Sequence, residues 1–516
     1  MTSHTASVTA QQEVQGSAAK AQRPAGLRGV ADRPWAVALL VAVPLALLYL
    51  LLSPPAADLA AATYRSDLFA RAGFTTWDTG WYAAHGHYLP GYSLLSPALG
   101  ALLGVRVLLA CSAVAASALF GLIAHCAFGT RAARVSTAWF ALGVCVGLLS
   151  GRVPFDLGLA IGLGAVLELM QGRLAVALGL AVLTSIASPV AGAFLALVAL
   201  AGAGGCVLTK KGDSRARARR KANSARARES RLKENNTTRP PSIAAAFDRD
   251  TRHCLDVAAA ALTPILVLTL AYPEGGYEPF APSAFWPALA GVALIALLYP
   301  RGPLNRRGWL AVRAAATLYA FALVAAFAIH TPMGGNAARL GPLLAGPLLA
   351  GVLWEERRAL LLLLAPVLLY WQLVTPVRDY ASVASDPSVH ASYYAPLLAE
   401  LKRLGDGHPG SRTIVEVPLT KAHWEAAYLA GHDRVELARG WERQLDTRYA
   451  SLFYRPTLTP FAYRAWLAEN RVRYVALPDA PLDKAGRLES ALIARGVPYL
   501  REMWRSSHWR LYRFMG

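Results

Sequence analysis

The chain is poor in cysteine and in acidic residues. Its 516 residues include five cysteines (Cys111, Cys126, Cys145, Cys206 and Cys254), with none in the C-terminal half. That excludes a disulfide framework and a Cys-x-x-Cys metal pattern, and leaves the cysteines as small hydrophobes. Asp and Glu number 32 against 52 Lys and Arg, a net charge of +20. Charged residues make up only 16% of the chain and hydrophobic ones 55%. The mean hydropathy of +0.34 is too high for a soluble protein of this length. No small-residue cleavage site followed by soluble sequence comes after the first apolar run, so that run is expected to be a retained helix rather than a signal peptide.

In place of charge the chain carries long apolar runs, matching the ~20 residues that cross a hydrocarbon core of ~30 Å. They lie near 35–52, 105–126, 135–150, 157–170, 174–187, 190–208, 254–271, 285–299, 309–329, 341–353 and 359–375. The expectation is a polytopic α-helical membrane protein with about 11 transmembrane helices. Lys and Arg fall in alternate loops: the N-terminal tail, Arg131 with Arg134, Arg173, residues 209–253, Arg301 with Arg306 and Arg307, and Arg357 with Arg358. The positive-inside rule then places the N-terminus in the cytoplasm, and residues 53–97 and everything after Thr375 outside the cell membrane. Residues 1–34 and the basic linker 209–253 hold too few apolar residues to offset ordering entropy, and disorder is expected of both. The linker reads as a topogenic, solvated segment, with anionic lipid head groups as the sharper alternative.

The pattern changes at about residue 376. Helical periodicity at 394–404 and 485–495 alternates with β-type runs at 413–417, 473–477 and 509–514, predicting an extracytoplasmic α/β domain over 376–516. Its many aromatics, Trp424, Tyr449, Phe453, Tyr463 and Trp466 among them, are expected mainly in its core or at the membrane interface.

Chemistry concentrates in the loops expected outside. Residues 66–97 are polar, aromatic and acidic where the surroundings are hydrocarbon, with Asp67, Asp78, His85, His87, Trp77, Trp81, Tyr82 and Tyr88. Carboxylates move protons and aromatic rings stack on sugars. His85 and His87, two apart, would share a face on a strand and ligate a metal with Asp78, but one acid beside His-x-His lacks a defined ligand set and hydrogen-bonding histidines are the simpler reading. A second loop carries Arg152 and Asp156, as a site or as a local salt bridge. A third carries Glu274 and Glu278. A fourth holds Asn336 and Arg339 after a Gly-Gly pair, and Arg339 offers a forked donor for phosphate.

Many spans, an acidic loop after the first and another after the third, and a C-terminal outer domain together resemble the GT-C superfamily of membrane glycosyltransferases. The likeness extends to actinobacterial integral membrane proteins of that type through HGHYLPGYS, GRVPFDLG and GGNAARLG. The resemblance implies transfer of a sugar from a polyprenyl-phosphate donor to a cell-envelope glycan, lipid or protein acceptor on the outer face. It puts Asp78 in the place of the first-loop catalytic acid, with Asp67 competing, and Asp156 in that of the second-loop acid. Arg339 would contact the lipid phosphate, and Arg152, Asn336, the two histidines and the loop aromatics would bind substrate. Neither loop contains an Asp-x-Asp or Glu-x-Asp pair, so a divalent metal stays an open question. The alternatives are a transporter or flippase of envelope precursors, which would carry a polar path through the bundle, or a non-catalytic envelope-assembly scaffold.

Overall fold

The computed structural model describes residues 34–229, 249–299, 306–405, 412–432 and 434–516. The expected disordered tail, apart from its last residue, and the part of the basic linker at 230–248 lie outside them. The first helix, α1 (Pro34–Leu52), is followed by α2 (Ala57–Ala72), a two-residue ladder of β1 (Trp77–Asp78) with β2 (His87–Tyr88), and α3 (Ser96–Leu103). Next come α4 (Val105–Ala127), α5 (Thr130–Gly147), α6 (Val153–Met170), α7 (Leu174–Ala187), α8 (Pro189–Glu229) and α9 (Arg249–Ala271). The bundle ends with α10 (Pro282–Leu298), α11 (Arg306–Ala328), α12 (Leu340–Glu356) and α13 (Arg358–Ala381). Every expected span is a helix. Among the described residues nine helices are long and apolar enough to cross a membrane, and α7 and α10 are shorter apolar helices beside them.

Three departures from expectation have physical reasons. The first loop is not mainly irregular. Residues 57–62 are alanine-rich, Asp58 and Arg71 complement the helix dipole at its two ends, and Gly73 at φ +69° closes α2. The backbone of α8 stays helical into the basic segment as far as Glu229, because Ala, Arg and Lys are good helix formers and the preceding span supplies the nucleus. Finally, α13 runs past Pro376 to Ala381, which carries Asp379 to the end of the bundle.

The C-terminal region forms α14 (Ala391–Gly405), β3 (Thr413–Glu416), α15 (Glu425–Tyr428), β4 (Val435–Leu437), α16 (Arg443–Tyr449), α17 (Pro460–Glu469), β5 (Tyr474–Pro478), α18 (Lys484–Ala494), β6 (Leu500–Arg505) and β7 (Trp509–Phe514). The sheet order is β4-β3-β5-β7-β6, parallel among the first three strands and antiparallel in the rest. The expected helices and the strands at 413, 474 and 509 are present. Two strands are additional: β4 has only three residues, and β6 (LREMWR) is half charged.

The sheet domain encloses one guanidinium among three carboxylates. Arg439 donates to both oxygens of Asp446 (2.9 and 2.7 Å) and to Glu489 (3.2 Å), with Glu416 at 3.7 Å, all of them buried. Tyr454 and Tyr463 donate to Asp446 and Glu489 at 2.7 and 2.8 Å. Three acids facing one cation leave surplus negative charge, and burial relieves it by protonation. Desolvation and the facing Glu489 hold Glu416 well above the carboxylate range, and desolvation pushes Glu489 up to about 7 against the pull of Arg439. A carboxyl with a raised folded pKa stabilises fully below its unfolded pKa and loses that contribution as pH rises through the folded value. Thermal unfolding of the protein should therefore fall in midpoint between about pH 5 and about pH 8. In Glu416→Gln the fall should be markedly flatter.

Candidate functional site

One end of the bundle meets the sheet domain, and the loops converge there. The Leu94 amide bonds the Ile186 carbonyl at 2.8 Å, joining the first loop to the end of α7. The Glu278 amide bonds Thr331 O at 3.1 Å, and Thr447 Oγ1 donates to Tyr277 O at 3.1 Å. The first loop also docks on the sheet edge: the Leu437 amide bonds Gly80 O at 2.9 Å and the Ala83 amide bonds Leu437 O at 3.0 Å.

Trp81 and Tyr82 fasten this contact. Both are fully buried; the Trp81 indole donates to Ala426 O at 2.8 Å and the Tyr82 hydroxyl to Glu442 O at 2.7 Å. Gly440 allows the approach, since a Cβ there would lie 2.6 Å from Trp81 Cβ. Arg65 on α2 pairs with Glu442 in the buried interior and lies 3.8 Å from the Tyr92 ring centroid. These aromatics, expected to bind substrate, are packing anchors, because a sugar has no access to a fully buried ring. Replacing Trp81 by alanine should cost about 3–5 kcal/mol and detach the first loop from the sheet domain. The checks are a lowered unfolding midpoint and new proteolytic cleavage within residues 73–95.

Asp78 sits against these anchors. Tyr64 Oη donates to Asp78 Oδ2 at 2.8 Å, and His87 Nε2 lies 3.9 Å from the same oxygen. Tyr64, Trp81 and His87 form a stack, with centroids 4.6 Å apart for the first pair and 5.4 Å for the second. Burial pushes the His87 imidazole down to about 4 although Asp78 draws it upward, so it is neutral at pH 7. His85 does not share this face. It stacks on Tyr449 at 4.4 Å, outside β2, because the turn at Gly86 (φ +65°) rotates the chain between the two histidines. Trp77 is half-exposed and edge-on to Tyr88 at 4.8 Å; Tyr88 tilts against Tyr272 at 5.4 Å. Asp67 is on the exposed side of α2.

A second cluster lies nearer the bundle. Arg152 does not pair locally with Asp156. Its Nε is 3.4 Å from Asp58 Oδ2 and its Nη2 donates to Asp379 Oδ2 at 3.2 Å, while Ser150 Oγ donates to Asp379 at 2.8 Å. Gly151 in the left-handed region (φ +74°) starts the turn that aims Arg152 this way. Asp156, in the first turn of α6, is buried, with Arg152, Arg339 and Asp58 as its electrostatic neighbours. Arg339 ends a 3-10 turn, Gly334–Arg339, and its guanidinium lies 5.4 Å from the Phe155 ring centroid. It has Asp58, Tyr92 and Glu278 within electrostatic reach and no ion-pair partner among the described residues. Asn336 occupies the same turn, half-buried.

The sequence reading does not single out Asp58 or Asp379. Asp58 carries a signal in hindsight, as the first acid after the first span, six residues beyond α1. Its carboxyl is raised by desolvation and pulled back by Arg152 and Arg339. Asp379 carries none, because it lies beyond the expected end of its span. Among the described residues no three His, Cys, Asp or Glu gather to hold a metal. The carboxylates here face arginines, a donor set suited to an anion among cations rather than to a divalent ion.

No protein-family model matches the chain, and no curated protein matches it. Among solved structures the chain is similar to an Archaeoglobus fulgidus oligosaccharyltransferase tethered to an acceptor peptide containing an NVT sequon: TM-score 0.45, 14% identity, 86% of this chain and 69% of that one covered. It is likewise similar to the archaeal oligosaccharyltransferase AglB of Archaeoglobus fulgidus in complex with an inhibitory peptide and a dolichol-phosphate: TM-score 0.46, 12% identity, 86% and 69% covered.

Proposed function

We propose that the protein is a membrane glycosyltransferase of GT-C type that moves a sugar from a polyprenyl-phosphate-linked donor to an acceptor hydroxyl, with the sheet domain on the outer face of the cell membrane. The observation that carries this reading is the convergence of Asp58, Asp156, Arg152 and Arg339, from three separate segments of chain, where the bundle meets the sheet domain. Charge at the edge of a hydrocarbon layer is costly, and groups kept there without a partner are in general functional. Arg339 is such a group.

In the step proposed, Arg339, with Arg152 behind it, takes the donor phosphate. The acceptor oxygen attacks the anomeric carbon, the bond from that carbon to the phosphate oxygen breaks, and the electron pair leaves on the phosphate, where the guanidinium stabilises it. Asp58 takes the acceptor proton; its partly desolvated carboxyl is a stronger base than an exposed one. Asp156 keeps the two arginines oriented. Asp78, engaged by Tyr64 and packed on His87, is a positioning group for the first loop in this account rather than the base. The concentration of charge at one end of the bundle supports transfer over transport.

The test is sugar transfer by purified protein from labelled polyprenyl-phosphate donors. Asp58→Asn should lower kcat by about 10²-fold or more with the unfolding midpoint unchanged, and Asp78→Asn should stay within about tenfold of wild type. Loss confined to Asp78→Asn would reverse the assignment, and absence of transfer and of donor binding across a broad panel would remove the reading.

A further inference from the structure

The turn that carries Arg339 is held from two sides. From the bundle, Tyr319 on α11 donates its hydroxyl to Ala337 O at 2.8 Å and accepts from the Gly341 amide at 3.0 Å, and Tyr319 and Ala337 are both buried. From the other side the third loop closes on the chain just before Arg339. The Glu278 amide bonds Thr331 O, and Tyr277 stands edge-on to the His330 ring at 4.7 Å. Gly334 packs so closely on the Glu278 carbonyl that a Cβ would overlap it, and its φ of +38° favours glycine as well. At Gly335 a Cβ would lie 3.1 Å from Pro279 O.

The same loop rests on the sheet domain. A Cβ on Gly276 (φ +76°) would overlap the Gln444 carbonyl of α16, and one on Gly275 (φ +72°) would lie 2.8 Å from Arg448 Nη1. Thr447, buried on α16, shares its hydroxyl proton between Gln444 O at 2.9 Å and Tyr277 O at 3.1 Å. Residues 275–277 therefore touch α16, and residues 277–279 touch the segment leading to Arg339. Glu278, in the middle, has Arg443 of α16 and Arg339 as electrostatic neighbours.

Arg339 has no ion-pair partner among the described residues, and its guanidinium lies 5.4 Å from the Phe155 ring centroid. With no salt bridge to fix its far end, the backbone turn beneath it decides where the guanidinium stands. A group that receives a charged ligand works only when its support holds it to within about 0.5 Å.

We infer that the sheet domain braces Arg339 through residues 275–279, with Thr447 as a positioning residue for the anion that Arg339 takes. The inference rests on the transferase reading for the identity of that anion, a lipid phosphate, and not for the brace. It gives the sheet domain a task on the donor side of the site, besides anchoring the first loop.

The test uses the full-length protein in nanodiscs and two readouts: hydrogen exchange of peptides covering residues 331–341, and equilibrium binding of radiolabelled undecaprenyl phosphate. Thr447→Val keeps the shape of the side chain and removes its hydroxyl, while Gly276→Ala pushes the loop off α16 from the loop's own side. Each should speed exchange at 331–341 by about fivefold or more and weaken binding by a similar factor. Exchange in α4 and α5 should stay as in the wild type, and Thr447→Ser should keep both readouts near wild type. In an Arg339→Gln background, Thr447→Val should weaken binding no further. Unchanged exchange at 331–341 in both variants would overturn the inference. So would Arg339→Gln losing binding while Thr447→Val and Gly276→Ala keep it. If the turn loosens as expected but Arg339→Gln binds undecaprenyl phosphate as the wild type does, the brace stands and the phosphate role given to Arg339 in the transferase reading falls.

Discussion

Burial of Trp81, Tyr82 and Arg65 between the first loop and the sheet domain is the contact on which the rest depends. It joins two bodies that differ in kind, a helical bundle with lipid-facing leucines and a mixed sheet with a polar surface. Two main-chain hydrogen bonds across Gly80, Ala83 and Leu437 dock the loop on the sheet edge. Such bonds fix register, and the two rings fix depth. With the loop docked there, Tyr64, Trp81 and His87 fall into one stack beside Asp78, and α2, on which Asp58 and Arg65 share a face, packs against it.

Paired charges gather around this contact, at the nearby end of the bundle and inside the sheet domain. Arg65 answers Glu442, Arg152 answers Asp58 and Asp379, and Arg439 answers three acids inside the sheet domain. A buried charge is tolerated when paired and hydrogen-bonded, and its pKa adjusts where pairing is incomplete. Against that background Arg339 stands apart, with no ion-pair partner among the described residues.

Much of the architecture was legible in the sequence because its signals are strong and local. Apolar runs foretold the helices of the bundle, nine of them among the described residues long enough to cross a membrane against about 11 expected, and period-two and helical patterns foretold β3, β5, β7, α14 and α18. What escaped depends on tertiary context. The helix α2 was hidden because its alanines and polar residues resemble a loop beside a hydrocarbon span. β6 was hidden by its charges and β4 by its length. At the site, residue type drew attention to Asp78, Trp81 and Tyr82, yet the hydrogen-bond partners of the two rings lie some 350 residues away in the sheet domain and turn the rings into anchors. Arg152 and Asp156 read equally as a site or as a local pair, and the left-handed turn at Gly151 sends the arginine to Asp58 and Asp379. Arg339 drew attention in the sequence because it is an arginine outside the alternating basic loops.

The most direct test of the central claim is a cryo-electron microscopy structure with a non-transferable polyprenyl-phosphonate sugar. The account predicts the phosphonate at Arg339, with the anomeric carbon facing Asp58 and Asp156. Density for the head group in the middle of the bundle, or at Asp78 with Arg339 and Asp58 untouched, would contradict it.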